Sequence, residues 1–449
     1  MRKILIANRG EIAVRIVRAA RELGIATVQA YSAADADTQA VRWADEAVAI
    51  GPARASKSYL DPAAILRAAV ATGADAVHPG YGFLSENADF AAAVEDAGLI
   101  FIGPTPDTIR RMGDKARARA VATAAGVATV PGSKGRVDGT EAALAAASAV
   151  GFPVMVKAAA GGGGRGIRVA TDAASLATML GQAEAEATAA FGDGGLYIER
   201  FIETARHIEV QVLGDGNNVI HLHERECSLQ RRRQKVWEES PAPTLPADVR
   251  DGLLSAAVRL AESVSYRGAG TLEFLYDEAA RTTYFIEMNT RIQVEHPVTE
   301  MVTGIDLVRE QIRIAAGEPL RFAQSDVRPR GHAIEVRINA EDPSRDFAPA
   351  PGTITDLTSP GGPGTRFDTA LFAGCVIPPH YDSLLGKLIV WDEDRPAALA
   401  RLRRALREMQ VAGVPTTIAM HTALADDPNV IAGAVHTRWL EPWLANNPL

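Results

Sequence analysis

Two short segments place carboxylates where they can hold a metal ion. In TYFIEMN, strand alternation puts Glu287 and Asn289 on the same face as Phe285. In TLEFLY, Glu273 stands among apolar neighbours, and a hairpin turn near Ala280 would set it opposite Glu287. Facing carboxylates repel unless a cation lies between them, and hard oxygen donors suit Mg²⁺ bound together with substrate phosphates. A magnesium site is one interpretation, and two solvated acids on an open sheet face, in another register, are the alternative.

A second cluster follows in RIQVEHPVTE, where Arg291, Gln293 and Glu295 occupy alternate positions. In an extended segment these three side chains face one way and can converge on a small planar anion. An arginine fork binds the paired oxygens of a carboxylate-like group. A glutamate held beside that anion can accept its proton. The alternative interpretation is a strip of ion pairs on the surface.

The stretch KAAAGGGGRG, which begins at Lys157, indicates a loop that closes over phosphate. A Walker motif is excluded, because Ile167 and Arg168 follow the glycines where Lys and Ser/Thr are required. The spacing GxGxxG is present, but the IRVA that follows favours a strand, whereas a dinucleotide fold needs a helix there. What remains is a strand, a glycine tip and a return strand, whose backbone N–H groups can approach phosphate. A flexible surface hairpin is the alternative.

The basic run QRRRQK, from Gln230 to Lys235, is compatible with a solvated face or an oxyanion pocket. A nucleic-acid or anionic-membrane partner is not expected, because the formal net charge of the 449 residues is -8. Cys227 and Cys375 are far apart and form no CxxC pattern, so neither a disulfide framework nor a zinc site is indicated and a reducing cytoplasm is expected. No uncharged run reaches the roughly 18 apolar residues of a membrane span, so we expect no transmembrane segment.

Around these segments, apolar patterns indicate the elements that must position them. Short β-rich runs alternate with helical patterns, including helices from about Glu11 to Leu23 and near Ala88 to Ala97. This βαβ rhythm predicts a parallel sheet with ligand-facing loops at its carboxyl edge, one of them HPGYGFLSEN. A helical stretch from Asp107 to Ala125 and a linker from Val130 to Gly135 lead to a small block that can move as a lid. The remainder, from about Phe201, is mixed, so the fold class is α/β followed by α+β.

Six motifs occur in the order NRGEIA, HPGYGFLSEN, MGDK, KAAAGGGGRG, EMNTRIQVEHPVTE and GHAIEVRINAEDP. In this order they resemble the biotin carboxylase family of the ATP-grasp superfamily, and the resemblance spans almost the whole chain. It implies an ATP-grasp fold with a Rossmann-like N-terminal domain over residues 1–113 and a linker helix over 114–130. A mobile lid over 131–203 and a mixed C-terminal domain over 204–449 complete the implied architecture.

The resemblance also implies a role for each matching residue. It implies ATP binding by Lys115, Lys157, Gly162, Gly163, Gly164, Gly166, Glu199, Ile202, His207, Gln230 and Arg233. It implies Mg²⁺ or Mn²⁺ at Glu273, Glu287 and Asn289, and bicarbonate binding by Lys235, Arg291, Gln293, Val294 and Glu295. It implies biotin contacts at Tyr81, Gly82 and Arg337, and a catalytic set of Glu295, Arg337, Arg291 and Lys235. In this scheme His207 lies near the ribose, Glu295 is the base, and Arg337 faces the developing enolate of biotin.

Three residues depart from the family pattern. Arg200 stands where many members have lysine, Arg233 where some have histidine, and Trp237 where a smaller residue is common. We expect these changes to affect local nucleotide contacts or the shape beside them, and not the reaction.

The activity implied by the resemblance is ATP- and bicarbonate-dependent carboxylation of biotin through carboxyphosphate, the first half-reaction of an acyl-CoA carboxylase such as acetyl-CoA carboxylase. No methionine is followed by lysine, so the biotinyl AMKM motif is absent and biotin is expected on a separate biotin carboxyl carrier protein. A separate carboxyltransferase subunit and a homodimer are implied as well. Two other interpretations stay open: an ATP-grasp ligase acting through another acyl phosphate, and an ATP-binding regulator without turnover.

Overall fold

The first part of the chain forms a five-stranded parallel sheet. The structure is a computed structural model and describes residues 1–133, 135–158, 167–191 and 194–448. Its elements are β1 (Lys3–Ile6), α1 (Gly10–Glu22), β2 (Ala26–Ser32), α2 (Gln39–Trp43), β3 (Glu46–Gly51), α3 (Pro62–Ala71), β4 (Ala76–His78), α4 (Ala88–Asp96), β5 (Ile100–Phe101) and α5 (Pro106–Gly113). The strand order is β3-β2-β1-β4-β5 and every pairing is parallel, which confirms the predicted sheet.

The loops after β1 and β4 meet at the carboxyl edge of this sheet. Asn8 Nδ2 donates to the carbonyl oxygens of Pro79 at 2.6 Å and Tyr81 at 2.7 Å. Gly80 lies between them with a φ of +61°, and a Cβ there would lie 2.9 Å from Asn8 Nδ2, so only glycine permits this approach. The HPGYGFLSEN loop is therefore fixed at the edge where open α/β sheets bind ligands.

The next part of the chain carries three helices and a small antiparallel sheet. Its elements are α6 (Lys115–Ala124), α7 (Gly139–Val150), β6 (Val154–Ala158), β7 (Ile167–Ala170), α8 (Ala173–Phe191) and β8 (Leu196–Arg200). Asp114 has an extended backbone and accepts a hydrogen bond from the backbone N–H of Arg117 at 2.8 Å, which caps α6. The helical stretch predicted over residues 107–125 is therefore two helices. The pairing of β6 with β7 is antiparallel, as predicted for the strands that flank the glycine run.

An eight-stranded antiparallel sheet forms the core of the remaining chain. Its elements are β9 (Arg206–Asp215), β10 (Val219–Arg231), β11 (Gln234–Ser240), α9 (Ala247–Glu262), β12 (Arg267–Asp277), β13 (Thr282–Asn289), α10 (His296–Thr303), α11 (Leu307–Ala315), β14 (His332–Asn339), β15 (Glu341–Asp342), β16 (Ala348–Pro349), β17 (Gly352–Thr353), β18 (Asp356–Thr358), β19 (Thr365–Thr369), β20 (Val376–Ile377), β21 (Leu384–Asp392), α12 (Arg395–Glu408), β22 (Gln410–Ala412), α13 (Ile418–Asp426), α14 (Pro428–Ala432) and α15 (Leu440–Asn446). The strand order is β13-β12-β9-β10-β11-β14-β21-β19.

Both faces of this large sheet are buried. Side chains of α6 and α9 pack against β9 and β12 on one face, whereas α1 and α11 pack against β9, β10 and β12 on the other. Helix α1 thus joins the N-terminal sheet and the large sheet in one apolar core. Among the helices that the structure describes, none has both the length and the apolar composition that a bilayer crossing requires.

The β12–β13 hairpin sets Glu273 opposite Glu287, which confirms the predicted register. The register shifts directly after this pair, because Phe274 faces Phe285 and Ile286 is the extra residue of a β-bulge. The expectation that Phe285 shares a face with Glu287 is therefore wrong, since Phe285 packs in the apolar core on the other side. The bulge lets one strand present its acid to the cleft and its aromatic ring to the core.

A second bulge lies in the β10–β11 pair. Leu229 faces Trp237 while Gln230 faces Lys235, so Val236 is the extra residue. Trp237 therefore points into the C-terminal apolar core, where it is 2% exposed. The departure at Trp237 changes the packing of this core and not a nucleotide contact.

We expect Trp237→Ala to lower the free energy of unfolding by about 3–5 kcal/mol, because it leaves a cavity in this core. Urea denaturation followed by circular dichroism measures the loss. Val376→Ala is the control, since Val376 is 63% exposed and a surface change of this kind stays within about 0.5 kcal/mol. A loss below about 1 kcal/mol together with a raised KM for ATP would instead place the indole in the nucleotide site.

Candidate functional site

The acid pair Glu273 and Glu287 lies on the face of the large sheet that carries the polar cleft. Glu273 Oε1 accepts hydrogen bonds from Gln293 Nε2 at 2.7 Å and from Asn289 Nδ2 and Lys235 Nζ, each at 2.9 Å. Burial would raise the pKa of Glu273, but the positive charge of Lys235 holds that pKa well below its usual range. Burial and the charge of Glu273 both raise the pKa of Glu287. Two opposed carboxylates with an adjacent amide form a hard donor set, which fits Mg²⁺.

A histidine and a third glutamate complete the acidic cluster. His207 Nε2 lies 3.2 Å from Glu273 Oε2 and 3.7 Å from Glu209 Oε2. Burial alone would lower the pKa of His207, but the charge of Glu273 and the interactions with the Glu209 and Glu273 carboxylates together raise the pKa to about 9. The imidazole of His207 therefore faces the acids. Its place near a ribose stays a prediction.

Lys235 contacts three buried carboxylates at once. Its Nζ donates to Glu209 Oε2 at 2.5 Å, to Glu295 Oε1 at 2.6 Å and to Glu273 Oε1 at 2.9 Å. Burial would lower the pKa of Lys235, but the carboxylates, Glu209 first, raise it well above its usual value. Lys235 is therefore a permanent positive charge and cannot act as a base near neutral pH.

Glu295 lies between two cations, Lys235 and Arg337. Arg337 Nη2 is 3.1 Å from Glu295 Oε2 and 2.6 Å from Glu238 Oε1. Burial would raise the pKa of Glu295, but the positive charges of Lys235, Arg337 and Arg225 together lower it. Glu295 is therefore an ionised, buried carboxylate. Because Glu295 is only 2% exposed, the interpretation of RIQVEH as a surface ion-pair strip is wrong.

Arg291 is held at the rim of the cleft by three acceptors, one of which is the backbone carbonyl of Ile292, 3.1 Å from its Nη1. Its Nε donates to Glu86 Oε2 at 2.8 Å, and its Nη2 donates to Asn289 Oδ1 at 2.9 Å. Glu86 belongs to the HPGYGFLSEN loop, so this contact joins the two motifs. Val294 contributes through its backbone, whose carbonyl accepts a hydrogen bond from Lys387 Nζ at 2.8 Å.

Arg225 lies beneath the cluster and was not predicted from the sequence. Its guanidinium donates, at distances between 2.6 and 3.1 Å, to the side chains of Glu209, Gln211, Thr271, Gln293 and Thr299. The Arg225 side chain is 0% exposed. Gln293 thereby spans the cleft floor, since its oxygen accepts from Arg225 and its nitrogen donates to Glu273.

The predicted phosphate lysines lie on the two elements that flank the cleft. Lys157 on β6 and Arg119 on α6 both donate to the carboxylate of Glu199 on β8. Lys115, at the start of α6, lies near enough to Glu287 that its charge opposes the rise in the pKa of Glu287. Gly162, Gly163, Gly164 and Gly166 lie outside the described residues.

The other predicted nucleotide residues border this region. Ile202 is half-buried just after β8, and Gln230 Nε2 donates to the carbonyl of Cys227 at 2.9 Å. Arg233 is exposed in the β10–β11 turn with a φ of 67°. Arg200 Nη2 lies 3.8 Å from Asp277 Oδ2. Nucleotide contacts at these positions stay predictions.

A cavity of about 130 Å³ lies beside the HPGYGFLSEN loop, with Asn8, Glu11, Tyr81, Gly82 and Asp382 in its lining. The hydroxyl of Tyr81 donates to the carboxylate of Glu11. Burial raises the pKa of Tyr81 well above its usual value, while the charge of Arg337 opposes that rise. Tyr81 and Gly82 therefore border a small chamber within electrostatic reach of Arg337.

Sequence reasoning missed several residues of the cleft. Glu209 had a signal, because His207, Glu209 and Gln211 alternate among apolar residues in HIEVQVL and so share one face of a strand. Glu86 and Arg225 had none, since their partners come from distant parts of the chain. The cleft that results combines an opposed pair of acids, an ionised buried carboxylate, and arginines on either side of it.

Sequence models of three domains match successive parts of this chain. "Biotin carboxylase, N-terminal domain" matches residues 1–109, "Carbamoyl-phosphate synthase L chain, ATP binding domain" matches residues 114–323, and "Biotin carboxylase C-terminal domain" matches residues 335–442. The biotin carboxylase of Nostoc sp. is 54% identical over 440 residues, which cover 98% of each chain.

Solved structures agree with these matches. The Campylobacter jejuni biotin carboxylase–β,γ-ATP complex superimposes with a TM-score of 0.94 at 46% identity and covers 98% of each chain. The biotin carboxylase domain dimer of Hydrogenobacter thermophilus 2-oxoglutarate carboxylase, in complex with MgADP, ADP and bicarbonate, gives a TM-score of 0.92 at 49% identity and covers 99% of this chain and 98% of that one. With matching domains along its length and relatives this similar, the chain belongs to the biotin carboxylase family.

Proposed function

We propose that this protein carboxylates biotin at the expense of ATP and bicarbonate, as the first half-reaction of an acyl-CoA carboxylase. The observation that carries the proposal is the position of Glu295, an ionised carboxylate buried between Lys235 and Arg337. A base in this position can take a proton from an anion on one side while a guanidinium stabilises a second anion on the other.

Bicarbonate binds in the cleft bordered by Arg291, Gln293 and Lys235, where Glu295 removes its proton. A bicarbonate oxygen then attacks the γ-phosphorus of ATP, the bond from that phosphorus to ADP breaks, and carboxyphosphate forms. Lys115 and Lys157 neutralise the phosphate oxygens. Lys157 must leave Glu199 to do so, and Arg119 remains there to balance the carboxylate.

Mg²⁺ or Mn²⁺ would be held by Glu273, Glu287 and Asn289. When bound, it supplies positive charge to the phosphoryl oxygens of the nucleotide. Two observations support a cation at this position. Glu273 and Glu287 face each other across the hairpin. The pKa of Glu287 is raised, first by burial and then by the charge of Glu273, so a cation between the two acids would be favourable. His207 and Lys235 position Glu273 from the other side.

Biotin enters beside Tyr81 and Gly82, and its ureido oxygen faces Arg337. Carboxyphosphate breaks down to CO₂ and phosphate, and the phosphate takes the proton of the ureido nitrogen. Arg337 stabilises the negative charge that develops on the ureido oxygen, and the nitrogen forms a bond to the carbon of CO₂. Glu238 and Glu295 hold the guanidinium in place.

The biotin is carried by a separate biotin carboxyl carrier protein, and a carboxyltransferase subunit completes the second half-reaction. The working unit is a homodimer in the cytoplasm. Residues 1–113 supply the biotin-side loop, 114–130 the linker helix, 131–203 the lid, and 204–449 the acids and arginines of the cleft.

We expect Glu295→Gln to lower bicarbonate-dependent ADP release by about 10²–10⁴-fold, because the amide cannot accept the proton. The measurement is ADP release with and without bicarbonate and free biotin. Glu300→Gln is the control, a buried carboxylate paired with Arg15 and Arg366 outside the cleft. If ADP release is independent of bicarbonate but requires another acid and an amine, the protein is instead an acyl-phosphate ligase. Tight ATP binding without turnover would identify a regulator.

We expect Glu287→Gln to weaken the Mg²⁺ dependence of ATP binding, because one of two charged oxygen ligands becomes neutral. Titration of ATP affinity against Mg²⁺ measures the shift. Glu278→Gln on the same hairpin is the control, since Glu278 is exposed in the turn. An unchanged Mg²⁺ dependence in Glu287→Gln would remove this residue from the metal site.

A further inference from the structure

Two buried carboxylates lie next to each other beside Arg337, and only one of them contacts it. Glu238 on β11 is directly opposite Glu335 on β14. Directly opposed residues of an antiparallel pair point to the same face, with Cβ atoms about 4.5–5.5 Å apart. Both residues are 0% exposed. The fold therefore brings two like charges together in its interior.

The donors around this pair are too few for two carboxylate ions. Glu238 Oε1 accepts from Arg337 Nε at 2.7 Å and lies 2.6 Å from Arg337 Nη2. In the ranges of the chain that the structure describes, Glu238 Oε2 and both oxygens of Glu335 have no hydrogen-bond partner. A buried carboxylate ion without partners is costly, whereas a protonated carboxyl removes the charge.

The charged groups that face the pair are already engaged. Lys387 on β21, the main positive charge acting on Glu335, lies 3.1 Å from Glu11 Oε1 and donates to the carbonyl of Val294. Glu238 is flanked by Arg337, which it shares with Glu295, and by Lys235, which three other acids share.

The pKa shifts agree with this geometry. Burial raises the pKa of Glu335 well above its usual value, and the charge of Glu238 adds to the rise while Lys387 opposes it. Burial also raises the pKa of Glu238, to about 7, against the opposing charge of Arg337. Glu335 is therefore the member that keeps a proton as Glu238 ionises.

We propose that Glu335 keeps its proton when Glu238 ionises, and that this singly charged pair positions Arg337 for biotin. The proposal rests on the proposed function, in which Arg337 faces the ureido oxygen. Both glutamates are positioning residues, since they are buried and act through the guanidinium. A second charge on Glu335 would leave the pair with more negative charge than Arg337 can balance.

The pair gives the biotin step a pH dependence of its own. As the pH falls through about 7, Glu238 takes up a proton from solvent and Arg337 loses an anionic acceptor. Above that pH the acceptor is charged and the charge-assisted hydrogen bond is strong. Biotin turnover is therefore expected to fall on the acid side through the titration of Glu238.

Infrared difference spectroscopy of the whole protein tests where the proton resides. A protonated carboxyl absorbs in a carbonyl region that ionised carboxylates leave empty. At about pH 8, where ordinary glutamates are ionised, Glu335→Gln should lose one such band relative to the unchanged protein. Glu239→Gln should lose none, because the hydrogen bonds and charges of Arg395 and His332 together overcome burial and hold the pKa of Glu239 well below its usual range.

Glu335→Met is a second variant for the same measurement. Methionine fills a similar volume without a charge, so the protein should fold and should lose the same band. A band retained in Glu335→Gln overturns the proposal. Failure of Glu335→Met to fold while Glu335→Gln folds also counts against it, because a neutral, unpartnered carboxyl tolerates an apolar substitute.

The kinetic test is the pH profile of kcat/KM for free biotin at saturating ATP and bicarbonate. The unchanged protein should lose about tenfold per pH unit below the titration of Glu238, and Glu238→Gln should flatten this acid limb. Glu335→Gln should keep the limb, with a shift of less than about one pH unit. A purely structural role would lower the whole profile without removing the limb, and an acid limb unchanged in Glu238→Gln overturns the proposal.

The proposed function and the protonation of Glu335 can be tested independently. If ADP release does not depend on bicarbonate, the proposed function is wrong, but the infrared spectra still decide whether Glu335 holds a proton. If ADP release depends on bicarbonate and the infrared band is unchanged in Glu335→Gln, the function stands and the carboxyl pair is wrong.

Discussion

One ammonium group determines the electrostatics of this protein. Lys235 lies within hydrogen-bond distance of Glu209, Glu273 and Glu295, which come from β9, from β12 and from the loop before α10. Removing one partner of a buried ion pair costs about 3–5 kcal/mol, because the other charge is left uncompensated. Here Lys235 contacts three anions, and each of them has a second basic group beside it: Arg225 at Glu209, His207 at Glu273 and Arg337 at Glu295. Lys235 is the cation that these three acids share, so it links β9, β12 and the loop before α10 at the cleft.

The bulge at Val236 directs the side chain of Lys235 into the cleft. In a regular strand Lys235 and Trp237 would point to the same face. The extra residue turns Lys235 towards the acids while Trp237 fills the C-terminal core. The packing of a large apolar side chain and the placement of a cation in the cleft are thus two results of one irregularity, and bulges are common where a strand must aim a side chain at a site.

Beneath Lys235, Arg225 is a second buried cation that contacts polar side chains from several elements. A buried polar network stabilises a fold when every donor and acceptor is used, and is costly when it is only partly satisfied. Arg225 uses its guanidinium on five side chains and thereby fixes both Glu209 and Gln293. These five hydrogen bonds hold the side chains of the cleft floor in one arrangement.

Local features of the cleft could be predicted from the sequence, and long-range ones could not. The pairing of Glu273 with Glu287 depends on one hairpin, so strand alternation and a turn were enough to find it. The bulge at Ile286 left no trace in composition, and it reversed the face assigned to Phe285. Single-sequence patterns give the direction of a side chain along one strand, and they do not reveal which strand lies beside it.

The same limit explains the residues found only in the structure. Arg225 meets Thr271, Gln293 and Thr299, and Glu238 meets Glu335, through strand neighbours that no spacing in the sequence encodes. The segment RIQVEH was informative because the family resemblance assigned its residues to a binding site, which strand alternation alone could not do. Its residues reach the cleft from a loop that follows β13, and not from an alternating strand.

The two halves of the proposed reaction are coupled through the charge on Glu295. In the resting cleft Arg337 is shared between Glu295 and Glu238, so part of its positive charge is already balanced. When Glu295 takes the proton of bicarbonate, it becomes neutral and Arg337 keeps only the anion Glu238. A larger share of the guanidinium charge is then available to the ureido oxygen of biotin, at the stage when carboxyphosphate has just formed. Proton uptake in the first step thus strengthens the group that the second step needs.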